Sequence, residues 1–131
     1  MSQNILFHII LMALGVVVLL AAGYIGKTDK GGKNLNTHKT FAAVGIVLVL
    51  AEVVALILTK VLMPTLPHFY IAVAAVVFML MAPIGGLLYL KAVPAKKAAL
   101  RKSHRFDAFV FFGLAGLAVV FGIISVLRML R

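Results

Sequence analysis

The chain contains no cysteine. That excludes disulfides, thiolate metal sites, iron–sulfur ligation and the C-x-x-C-H attachment of c-type haem, so a bound cofactor needs other ligands. Acids are scarce: Asp29, Glu52 and Asp107 stand against thirteen lysines and arginines, for a formal net charge of +10. Charged residues make up only 12% of the chain and hydrophobic ones 64%. A soluble domain of 131 residues could not hide that much apolar surface. Also missing are a nucleotide-binding glycine loop, a nucleophile–base motif and a zinc-ligand spacing.

What the chain has instead is four long apolar runs, near 5–26, 41–62, 69–90 and 106–127. Each matches the roughly 20 helical residues that cross a ~30 Å bilayer core. The expectation is an all-α integral membrane protein, a single domain over 1–131, with short loops forcing an up-down-up-down four-helix bundle. The first run opens on "MSQN", without a positive n-region, and outlasts a typical h-region. It reads as a retained helix, although "LLAAG" has the small residues of a cleavage site.

The positive charge is laid out by loop. Lys27, Lys30, Lys33 and Lys39 surround the first loop; Lys91, Lys96, Lys97, Arg101, Lys102 and Arg105 fill the third. Only Lys60, Arg128 and Arg131 fall on the other side. The positive-inside rule then puts both basic loops in the cytoplasm and both termini outside. The partner so implied is a lipid bilayer with anionic headgroups, not nucleic acid. A homodimer is compatible with such a surface.

The first loop, "GKTDKGGKNLN", is polar and glycine-rich, and "MPTLP" stops one helix and shapes the start of the next. "KAVPAKKAALRKS" reads as a third loop with a basic amphipathic turn, and Pro83 as a kink inside the third helix. "THKTF" (37–41) and "SHRFD" (103–107) each place a hydroxyl residue, a histidine and a cation at a helix start. Thr37 and Ser103 are natural N-caps there, and Asp107 a first-turn acid favoured by the helix dipole. The repeat suggests a duplicated helical hairpin, its copies related by an axis along the membrane normal.

There are four histidines, His8, His38, His68 and His104, one near the N-terminal end of each run. Alternating helix direction places His8 and His68 at the outer side, His38 and His104 at the inner side. In an up-down bundle helices 1 and 3 are diagonal, as are 2 and 4. Each side would thus offer one pair facing across the centre, as a six-coordinate haem iron requires of two axial imidazoles. Any single histidine also suits an interfacial or packing role. The joint pattern carries the haem reading.

Glycines follow the histidines. Seven residues is almost two turns, about 10.5 Å along one face; Gly15 follows His8 and Gly45 follows His38 by that spacing. Eighteen residues is five turns, ~27 Å on the same face, and leads from His8, His68 and His104 to Gly26, Gly86 and Gly122. All five are expected to clear room for flat rings, although glycine also serves close packing in membrane helices. Ala75 and Phe111 break the first series, and Leu56 breaks the second.

In "HIILMALG", "THKTFAAVG", "PHFYIAVAA" and "SHRFDAFVFFG", in that order, the chain resembles the cytochrome b561 family. The resemblance covers nearly the whole sequence. It implies four helices holding two haem b groups by paired histidines near opposite membrane faces, and transmembrane electron transfer with ascorbate, a quinone or another redox protein as partner. The chain lacks the flanking helices of eukaryotic members and looks closer to small prokaryotic relatives, hence a cytoplasmic membrane. Either an electron-transfer protein or a small membrane oxidoreductase fits.

Glu52 is the one acid well inside an apolar run, and an intramembrane carboxylate is a functional candidate by default. Fourteen residues from His38 put it ~21 Å away and about 40° off that face. There it could accept a hydrogen bond from an outer histidine or handle protons for a quinone. It could also snorkel to the interface or pair with Lys60. Lys39 and Arg105, next to the inner histidines, suit haem propionates and equally the topology rule. Phe69, Tyr70, Phe111 and Phe112 read as packing or lipid-facing residues. A different class of function is a haem-free transporter or oxidoreductase anchor subunit using Glu52 as a proton or cation site.

Overall fold

A computed structural model describes residues 3–29, 32–59 and 67–129. The described chain is helical: α1 (Gln3–Thr28), α2 (Leu35–Leu58), α3 (Pro67–Lys91) and α4 (Pro94–Met129). All four are long and apolar enough to cross a membrane. Large apolar side chains such as Phe7, Val17, Val47, Val77, Phe109 and Leu117 face outward, a surface suited to lipid. The protein is an integral membrane protein.

The helices form two compact units, residues 1–62 and 63–131. In the first, α1 packs on α2. Contacts run in opposite order along the two helices, from His8 with Glu52 to Ala22 with His38, so the pair is an antiparallel hairpin. Its seam is Gly15, Leu19 and Ala22 against Gly45, Val49 and Glu52, all buried. Small residues let the backbones approach: a Cβ on Gly15 would lie 3.5 Å from the Gly45 carbonyl oxygen. In the turn, the Asp29 carboxylate accepts hydrogen bonds from the Lys33 and Asn34 main-chain N–H groups at 3.1 and 2.9 Å. Gly32 takes a φ of 73° there, in the left-handed region that glycine enters at no steric cost.

In the second unit α3 packs on α4, again antiparallel: His68 meets Ala118 and His104 meets Ala82. Ala75 and Met79 of α3 and Phe111, Ala115 and Ala118 of α4 are buried. The repeat legible in "THKTF" and "SHRFD" extends through both hairpins. An offset of 60 carries His8, Gly15, Leu19, Ala22 and Gly26 onto His68, Ala75, Met79, Ala82 and Gly86. An offset of 66 carries His38, Gly45, Val49, Glu52 and Leu56 onto His104, Phe111, Ala115, Ala118 and Gly122. Of the six buried seam residues of the first hairpin, five fall on buried residues of the second; Ala22 falls on Ala82, which is half-buried.

Several boundaries differ from the sequence reading. Helix α4 begins at Pro94, not near 106, so "KAVPAKKAALRKS" is mostly helix. Proline suits the first helical position, where its missing N–H has no partner to lose, and the alanines, lysines, leucine and arginine that follow are strong helix formers. Helix α2 begins at Leu35 after Asn34. Thr37 and Ser103 therefore lie inside helices and are not caps. Asp107, likewise, is no first-turn acid; it is buried within α4, 6% exposed. Helix α3 continues through Pro83. Lys60, Pro64 and Arg131 lie outside the described residues.

Candidate functional site

Every histidine is half-buried and turned onto the neighbouring helix of its own hairpin. Three use the same device. His38 Nδ1 donates to the Ala22 carbonyl at 2.8 Å, His104 Nδ1 to the Ala82 carbonyl at 2.7 Å, and His68 Nδ1 to the Ala118 carbonyl at 2.7 Å. Each acceptor stands four residues before a glycine: Gly26, Gly86 and Gly122. One helical turn on, that glycine carries the ring. A Cβ on Gly26 would come within 2.8 Å of His38 Nδ1, one on Gly122 within 3.2 Å of the His68 ring, and one on Gly86 within 3.4 Å of the His104 ring.

The fourth histidine departs from the pattern. His8 Nδ1 donates to Glu52 Oε1 at 3.0 Å. Glu52 is 1% exposed, so its carboxylate neither snorkels to the interface nor turns outward. Its Oε2 has no hydrogen-bond partner among the described residues. Glu52 occupies the repeat position of Ala118, and Leu56 that of Gly122.

These contacts fix the chemistry of the rings. A main-chain carbonyl only accepts, so Nδ1 must carry the hydrogen in His38, His68 and His104. In a neutral imidazole the lone pair then resides on Nε2, the form in which histidine binds a metal while its other nitrogen is held by an oxygen. The donor set therefore fits a haem iron. No group of three or more histidine or acidic side chains among the described residues is placed to hold a metal ion directly. A metal held by imidazole would need only two ligands of its own from this chain, as haem iron does.

The expected glycine clearances have other occupants. Gly15 and Gly45 face the partner helix of the same hairpin: their Cβ atoms would meet Val49 Cγ2 at 2.8 Å and Leu19 Cγ at 2.6 Å. Helix packing accounts for both. The space at Gly26, Gly86 and Gly122 is filled by histidine rings, a use that counting along one helix does not reveal. Gly113 and Gly116 meet nothing within 4 Å. Lys39 and Arg105 are exposed beside His38 and His104, and neither forms an ion pair among the described residues. Sequence reasoning missed Ala22, Ala82 and Ala118, whose role is played by main-chain oxygens. The alanine–glycine spacing shared by α1, α3 and α4 was the available signal.

No protein-family model, curated protein or solved structure matches the chain.

Proposed function

We propose that the protein is a di-haem b-type cytochrome that moves electrons across the membrane. One haem is held by His8 and His68 near the outer face and the other by His38 and His104 near the inner face, one ligand from each hairpin. The reading rests on one observation: four histidines each tie Nδ1 to an oxygen acceptor of the neighbouring helix, the arrangement that presents Nε2 to iron. Haem supplies reversible one-electron chemistry when bound. The chain contributes the ligands, fixes their orientation through the carbonyls and Glu52, and surrounds them with apolar helix. Lys39 and Arg105, each next in sequence to an inner histidine, would pair with the propionates of the inner haem. Both basic loops lie in the cytoplasm and both termini outside, in the cytoplasmic membrane of a prokaryote. This is the scheme of the cytochrome b561 family, with a quinone, a small reductant or a redox protein as partner.

An absorption spectrum of the purified protein, oxidised and then dithionite-reduced, tests the proposal. Sharp reduced α and β bands of a low-spin b-type haem support it. The buried carboxylate with an unpartnered oxygen favours a second reading, a haem-free proton or cation transporter centred on Glu52. A protein without haem bands whose cation-driven transport is abolished by Glu52→Gln would establish that one instead.

A further inference from the structure

The four docks are not equivalent. In three, a glycine admits the ring to the helix surface and a main-chain carbonyl one turn earlier receives its N–H. In the fourth, leucine stands in the glycine's place. A leucine side chain there would cover the surface on which the ring rests in the other three docks, and a backbone carbonyl in the middle of a helix does not reach outward past it. The acceptor must then come from further out, and it comes from the Glu52 side chain. Both exceptions fall at the same dock, one turn apart.

We propose that Glu52 and Leu56 act as a pair that replaces the alanine–glycine dock, making Glu52 the positioning residue for His8. Three imidazoles are aimed by neutral carbonyls and one by a carboxylate. The carboxylate's negative charge makes the His8 ring a stronger electron donor through Nε2. Resting on the haem assignment above, this predicts that the haem ligated by His8 is the harder of the two to reduce, because a more basic ligand favours ferric iron. A carboxylate hydrogen-bonded to a ligand in a low-dielectric site is expected to shift the one-electron equilibrium by about tenfold, ~59 mV.

Two measurements test the proposal on the reduced, purified protein and its variants: histidine 1H–15N NMR, in which the shift of each Nδ1–H reports whether it is donated to an acceptor, and a redox titration. Glu52→Gln keeps an acceptor but removes the charge; it should retain the His8 Nδ1–H signal and raise one potential by about that tenfold step, leaving the other unchanged. Glu52→Ala should move the signal to the shift of an Nδ1–H without an acceptor, because a leucine at position 56 leaves the ring no backbone carbonyl to reach. Adding Leu56→Gly to Glu52→Ala should restore the parent shift and leave the potential near that of Glu52→Gln. A Glu52→Ala protein whose His8 Nδ1–H shift is unmoved, a double variant that fails to recover the parent shift, or a Glu52→Gln protein with unmoved potentials would overturn the proposal. If the parent binds no haem, the functional assignment fails, and the NMR series alone decides the positioning role.

Discussion

The His38 ring lies on Gly26, so close that a single added methyl would sit 2.8 Å from Nδ1 and 2.9 Å from Cε1. The glycine is there for a histidine twelve residues away in the sequence but adjacent in space, across the α1–α2 hairpin. The same relationship joins Gly122 to His68 and Gly86 to His104, at 3.2 and 3.4 Å.

These distances set a graded expectation for alanine substitution. Gly26→Ala should displace His38, break its bond to the Ala22 carbonyl and lower haem occupancy at one site. Gly122→Ala should do so partially, and Gly86→Ala, where the contact is ordinary, should be tolerated. Gly113→Ala, with open space around it, is the control. Haem content per chain and the Nδ1–H signals of each variant check the order.

Gly45 and Gly15 are expected to govern hairpin stability instead. Gly45→Leu drives a side chain into Leu19, and Gly15→Leu into Val49. Overpacking of this kind typically costs about 1–3 kcal/mol. Both variants should unfold at lower temperature in detergent, and Leu19→Ala should recover part of the loss in the Gly45→Leu protein but none in the Gly15→Leu one. Equal melting temperatures for all of them would remove these glycines from the seam.

Much of this was legible in the sequence, because membrane helices announce themselves by length and hydropathy and because histidine is rare enough for its spacing to stand out. His8, Glu52 and the glycines at 26, 86 and 122 could all be singled out from periodicity. Their neighbours could not. The acceptors at Ala22, Ala82 and Ala118 are main-chain atoms, and every residue has one, so nothing in the side chain marks them. Counting along a single helix led to haem clearance at Gly15 and Gly45, whereas the partner helix fills that space. The start of α4 was hidden by lysines that read as loop charge although their backbone propensity is helical.

The proposed ligand pairs predict a non-additive series. His38→Ala and His104→Ala should each remove or convert the same haem, and the double variant should match either single, as expected of two residues in one site. His8→Ala and His68→Ala should do the same to the other haem. A redox titration resolves the two components; loss of the same component in His8→Ala and His38→Ala would contradict the proposed layering.

Orientation has its own test. Reporter domains fused to either terminus should be active only in the form that works outside the cytoplasm, given basic loops at 27–39 and 91–105. Cytoplasmic activity at both ends would reverse the assignment of inner and outer haems while leaving the ligand pairs intact.

The most direct test of the central claim is haem stoichiometry and spin state in fully reconstituted protein. Acidified organic solvent should extract two non-covalent b-type haems per chain, and electron paramagnetic resonance of the oxidised protein should show low-spin bis-imidazole iron at both sites. A chain that takes up no haem, takes up only one, or holds high-spin iron throughout would contradict the account.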